Sequence, residues 1–395
     1  MAGESATRWT DARFDALAHQ GDPLADEVVA EHARLVGLEH PAHLVANIGR
    51  HLVLPAEKRS APLHDYLEAR PPLPDWVNPK RMASSVDFFT QHGLTIGTSL
   101  FCASLPEAYA AARGARVLTL TARMTSDPVR RVYETAQLVF DSMSPGGLEP
   151  VGGKGYADIR RVRLMHAAVR YLILNDPDVP KTDAPAPFPS WCPATGVPIN
   201  QEDLLGTLMT FTQTVFESLD RIGAVYEPNE AESYLHAWCV TGHLLGIAPD
   251  LLPLDLDDAR EITASIRRRQ TAPSEDGRVL GQALVGAMRD SMPFRVLRPL
   301  PAAIIHWNVG DEVARINGIS GGSHLAGFLQ GTRRIMKGVG LAAQHDKMLR
   351  VASRHLGHAV LGSFVKAGRT GSRPPFAVPN HLGTRRPKTL TRWKL

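Results

Sequence analysis

At 395 residues, with 44% hydrophobic and 21% charged side chains, the sequence has a globular composition and exceeds the roughly 250–300 residues over which one core usually grows, predicting two domains or one large helical one. A net charge of +4 with only 6% aromatics argues against nucleic-acid binding, and no apolar run reaches the roughly 18 residues of a membrane span. Three cysteines without close spacing, Cys102, Cys192 and Cys239, exclude a Cys-x-x-Cys site and fit reduced thiols.

The first residues, Met1 to Asp11, carry neither a basic segment followed by an apolar stretch nor a twin-arginine pair, so a cytoplasmic location is expected. Strand-like alternation is confined to Val117 to Thr121. A helix is predicted from Asp127-Pro128, with Asp127 as N-cap, through Phe140, and another from about Asp158 to Leu174. The clearest periodicity runs from Asp203 to Ile222, where Leu204, Leu208, Phe211, Val215, Leu219 and Ile222 recur at helical steps. Asn200 would cap it, Glu202 and Asp203 suit its positive first turn, and Gly223 ends it. Further helices are expected at Glu230 to Leu245, Asp276 to Met288, Asp311 to Asn317, Leu325 to Gly338 and Asp346 to Phe364, with proline-rich joints at Pro71 to Pro79, Pro180 to Pro193 and Pro299 to Pro301. The fold class is all-α, divided into an N-terminal helical extension (1–80), a main helical domain (81–370) and a basic C-terminal tail (371–395).

Within the 158–174 helix, Arg163, His166 and Arg170 lie three and four residues apart and share one stripe. Neighbouring cations disfavour a second positive charge, so the imidazole is held neutral, the state that binds a metal, while the arginines can pair with an anion. A porphyrin offers both partners: its iron takes an imidazole and its propionates take arginines. Spacing alone fits equally a core histidine beside surface arginines, which is the commoner arrangement.

Several blocks in order resemble the latex clearing proteins, or rubber oxygenases, and their wider relatives among fungal oxygenases: Gly21-Asp22-Pro23-Leu24-Ala25-Asp26, Arg131-x-x-Glu134-Thr135, Arg163-Leu164-x-His166-x-x-x-Arg170, and Pro198-Ile199-Asn200-Gln201-Glu202-Asp203-Leu204 with Gly206-Thr207-Leu208. The resemblance implies a globin-like helical core around one non-covalent haem b, with His166 as iron ligand and Arg163, Leu164 and Arg170 as cofactor-binding neighbours. It implies a dioxygen-using oxygenase that cleaves a carbon–carbon double bond in an apolar small-molecule or polyisoprenoid substrate. Arg131, Glu134 and Thr135 would form the distal side, but the family's lysine is here Glu134, so an iron without a lysine cap is expected. Glu134 could orient a distal water or receive a proton; an ordinary ion pair with Arg131 one turn back is an equal alternative. The family's upstream glutamate has no counterpart, since residues 113 to 118 read Arg-Gly-Ala-Arg-Val-Leu.

Other candidates carry less. His236 and His243, seven residues apart, lie roughly 10 Å apart along a helix, too far to share a metal, and suit a core or pocket lining. His355 and His358 have workable spacing but no third ligand, Ser320 to Ser323 has neither the strand nor the lysine of a phosphate loop, and no Gly-x-Ser-x-Gly elbow occurs. Met209, Phe211 and Phe216 would suit a hydrocarbon pocket and equally an ordinary core. Haem monooxygenase or peroxidase-like chemistry on a small metabolite, and a non-catalytic helical binding protein, stand as the alternative functions.

Overall fold

The computed structural model describes residues 8–37, 42–122, 128–290, 292, 294–321 and 325–345. Among these the chain forms helices and no strand. Four helices lead: α1 (Asp11–Ala18), α2 (Pro23–Val36), α3 (Ala42–Val53) and α4 (Ala61–Glu68). The long α5 (Pro79–Ser99) continues through a π-helical stretch, Leu100–Ser104, into α6 (Leu105–Ala110) and then α7 (Ala112–Ala122). Next come α8 (Pro128–Ser142), α9 (Lys154–Asn175), α10 (Gln201–Phe211), α11 (Gln213–Ile222) and α12 (Pro228–Leu244). The chain continues through α13 (Leu256–Gln270), α14 (Glu275–Asp290), α15 (Leu300–Ile316) and α16 (Ala326–His345).

The all-α expectation holds, with three local differences. Val117 to Thr121 is helical: Val117, Leu120 and Thr121 are the buried members, a spacing of three and four that belongs to a helix face. The helix expected from Asp203 to Ile222 is two helices broken at Thr212 (φ −121°, ψ −86°), whose buried hydroxyl donates to the Leu208 carbonyl. Threonine hydroxyls competing for helix carbonyls favour such breaks, and Thr210 donates to Thr207 in the same turn. The helix expected at Asp311 is the second half of α15, which bends at Gly310 (φ 77°). The expected Asp127 cap, the 346–364 helix, His355, His358 and the 371–395 tail lie outside the described residues.

The predicted ends of α10 and α11 are observed. The Asn200 side chain accepts from the Asp203 amide and the Asp203 carboxylate accepts from the Asn200 amide, and Gly223 closes α11 in the left-handed region (φ 88°).

Two large apolar clusters form most of the core. In one, Leu164, Leu172 and Ile173 of α9 pack with Val29 of α2, Leu44 and Ile48 of α3 and Leu63 of α4. The other draws on α1, α5, α8, α10, α11, α12 and α13. Each fully buried Leu or Ile stabilises the fold by about 1.5–3 kcal/mol, so α2, α3 and α4 share a core with α9. A smaller cluster joins Leu138 of α8 and Ile159 of α9 to Val240 and Leu244 of α12. The three helices that carry the candidate residues therefore meet there.

Candidate functional site

The central helix α9 is closed over most of its circumference. Leu164, Ala167, Ala168, Leu172 and Ile173 expose 0% of their surface. Between Leu164 and Arg170 only His166 is half-buried rather than buried. Beside it Val162, Met165 and Val169 keep 9%, 8% and 9%. These four positions follow the i, i+3, i+4, i+7 pattern of a single helix face. This strip of α9 is thus a half-buried imidazole bedded in buried apolar side chains.

The two arginines lie at the edge of this strip and are engaged by the protein's own carboxylates. Arg163 holds Asp22 through two bonds, Nε to Oδ2 at 2.6 Å and Nη2 to Oδ1 at 2.7 Å. Burial pulls the Arg163 guanidinium down, and the Asp22 contacts outweigh it, so its pKa is raised. The second pair is looser: Arg170 Nη1 lies 3.2 Å from Asp26 Oδ1, and its Nη2 donates to the Ile199 carbonyl at 3.2 Å. Burial here prevails on both partners, raising Asp26 and lowering Arg170.

Each pair is covered by a glycine whose side chain could not be larger. A Cβ on Gly246 (φ 97°) would stand 2.4 Å from Asp22 Oδ2, and one on Gly21 would stand 2.6 Å from Asp26 Oδ2. Buried Gln201 ties the two glycines together, donating from Nε2 to the carbonyls of Gly21 and Gly246, both at 2.9 Å, and accepting from the Ala248 amide at 3.0 Å. Ile199 adopts φ 53°, costly for a β-branched residue, and its carbonyl is the one that accepts from Arg170. Arg113 fastens the start of α10 through Asp203 and Glu202, and Arg269 takes the other oxygen of Glu202. Three of the four blocks singled out in the sequence thus form one interlocked polar node.

The sequence-predicted residues divide accordingly. His166 is the half-buried member of this strip, whereas Leu164, two residues and about 200° away, is fully buried on the opposite side. Arg163 and Arg170 belong to the node. On α8, Glu134 is half-buried and Thr135 exposed, and the Arg131 side chain lies outside the described residues. Helices α8 and α9 are consecutive and pack on one another, with Leu138 and Ile159 in one apolar cluster.

His236 and His243 meet through a residue the sequence did not single out: both rings stand edge-on to Trp76, with centroids 5.7 and 6.1 Å away. His236 Nε2 accepts from the Asn78 amide at 2.9 Å. Burial, and then the charge of Arg163, lowers the pKa of His243. No cluster of three or more His, Cys, Asp or Glu able to hold a metal ion occurs among the described residues. Met209 and Phe216 are buried within the cluster around α10 to α12, with Phe211 packed against it, its ring stacked on Trp238 at 4.5 Å. Asp22 and Asp26 were visible only as part of a motif, since nothing local says which arginines they reach.

A haem would require an axial donor, an apolar bed and counter-ions for its propionates. The first two fit the strip of His166, Val162, Met165 and Val169. For the third, Arg163 and Arg170 stand beside the strip with guanidiniums that already face Asp22 and Asp26.

Comparison with known proteins adds a family. The catalytic domain described as "ER-bound oxygenase mpaB/B'/Rubber oxygenase" matches residues 92–340. The rubber oxygenase of Streptomyces sp. (strain K30) is 24% identical over 261 residues, 65% of this chain and 60% of that relative. The match therefore spans somewhat less than two thirds of the relative's length. The structure of latex clearing protein LCP in the closed state aligns with a TM-score of 0.64 at 19% identity, covering 92% of this chain and 94% of that one. That likeness is one of fold. Among the described residues no helix is long and apolar enough to cross a membrane.

Proposed function

We propose that this chain, which belongs to the mpaB/B'/rubber oxygenase catalytic-domain family, is a haem b-dependent oxygenase that uses dioxygen to cleave a carbon–carbon double bond of an apolar, unsaturated substrate. The observation that carries this reading is one apolar face of α9, on which the half-buried His166 imidazole stands among the buried side chains of Val162, Met165 and Val169. In it His166 is the ligand to iron, and the three apolar side chains exclude water from the ring face. When bound, the haem supplies the oxygen chemistry, which no side chain provides.

The other residues position. The Asp22–Arg163 and Asp26–Arg170 pairs tie α9 to the N-terminal segment and so stabilise the helix that carries His166. Glu134, half-buried on the neighbouring helix α8, is the carboxylate assigned to hold or receive a proton. An apolar substrate, the class on which the Streptomyces rubber oxygenase is named to act, suits a strip lined by apolar side chains.

The test is the absorption spectrum of the purified protein, ferric and then ferrous, with and without carbon monoxide, beside His166→Ala. A Soret band that shifts with carbon monoxide and is lost or displaced in the variant is expected, followed by carbonyl products from a polyisoprenoid probe. A wild-type protein that takes up no haem on reconstitution overturns the proposal.

A further inference from the structure

We infer that α16 is an interfacial helix through which this protein docks on anionic lipid surfaces. The inference stands on a part of the molecule remote in sequence from His166 and does not depend on the haem reading.

From Arg333 to Ala342 every residue of α16 is exposed except Gly340, which is half-buried. Yet the helix carries large apolar side chains in the open: Phe328 is 59% exposed, Ile335 66% and Val339 51%. At 100° per residue these three fall within about 40° of one another, with Met336 beside them. The cations Arg333, Arg334 and Lys337 occupy the opposite half of the circumference. The side that meets the protein is marked by Gly340, where a Cβ would stand 2.9 Å from Val225, about 100° round from Val339. The centre of the apolar face lies about 120° round from that contact, and Phe328, Ile335 and Val339 are exposed there.

Charge selects the occupant. From Ala326 to Leu395 the sequence holds fourteen Lys and Arg against one acid, Asp346, although the whole chain carries only +4. Residues 1 to 325 are correspondingly net negative. A second copy of α16 laid on the first would bring like charges together, and residues 346–395, with eleven Lys and Arg, would do the same. A nucleic acid would use the cations and leave the apolar face in water. An anionic bilayer takes both: acyl chains receive Phe328, Ile335 and Val339 while headgroups receive the cations.

The experiment is co-sedimentation of the full-length protein with vesicles of phosphatidylcholine alone or mixed with phosphatidylglycerol. Wild type is expected to bind the mixed vesicles, less so as salt rises. The triple variant Arg333→Glu, Arg334→Glu, Lys337→Glu should lose at least about a hundredfold in partitioning, taking about 1 kcal/mol per cation. Ile335→Asn with Val339→Asn should also abolish binding, and because all five positions are exposed, an unchanged circular dichroism melt is expected throughout. Four outcomes overturn the inference: no binding to either vesicle; binding that both variants retain; a solution mass of two copies that the Asn variant halves; or competition by RNA that removes the protein from vesicles.

Discussion

Two neighbouring faces of α9 have opposite fates. The face of Arg163 and Arg170 is paired with Asp22 and Asp26, roofed by Gly246 and Gly21 and clamped by Gln201. The face of Val162, Met165, His166 and Val169, less than a quarter turn away, is apolar apart from its half-buried imidazole. One short motif thus contains scaffold and candidate chemistry side by side. Their difference is one of geometry: a guanidinium reaches sideways to a partner on another segment, whereas an imidazole is short and stays where its helix puts it.

The comparison breaks most visibly at Asp22. Its side chain is 4% exposed and faces an Arg163 that is 15% exposed, so Asp22→Ala should leave a buried cation without its carboxylate and cost about 3–5 kcal/mol. The urea midpoint reports this, and a loss under about 1 kcal/mol would show that the node does not hold α9. Gly246→Ala should cost less, roughly 1–3 kcal/mol, because φ 97° is strained for any side chain and the new methyl would meet Asp22 Oδ2. Neither change touches the His166 strip. Any haem-derived spectrum should therefore survive in the folded fraction, in contrast with His166→Ala.

Helices and their ends were legible because their causes are local: the Asn200–Asp203 box, Gly223 and the periodicity of α11 all lie within a few residues. The break at Thr212 was not, since apolar spacing continues through it and both halves bury the same faces. The partners of Arg163 and Arg170 were less legible still. Asp22 is 141 residues from Arg163, and a carboxylate in a motif does not announce which cation it meets. His166 could be placed on a helix face from spacing, but that its imidazole is half-buried rather than buried depends on how α2, α3, α8 and α12 surround α9. The exposure of α16 has the same origin: amphipathic helices usually bury their apolar face, and only the fold reveals that this one does not.

The smallest effect concerns the electrostatic boundary of the node. His243 stands near Arg163, and burial together with that charge lowers its pKa from 6.5. A folded pKa below the unfolded one means that the neutral imidazole contributes its stability above pH 6.5 and that this is lost as the pH falls toward the folded value, when only the unfolded chain binds the proton. His92, pulled down to about 4 by burial, shares the sign and should dominate the slope. The two separate through Asp22. Replacing it by Asn keeps an oxygen for Arg163 but removes the negative charge, so His243 should feel a less neutralised cation and titrate lower still, while His92 stays put. Ring-proton NMR titrations of wild type and Asp22→Asn read this directly. A His243 curve unmoved by the substitution would mean that Asp22 does not neutralise Arg163 as seen from α12, and that the node seals the arginines sterically but not electrostatically.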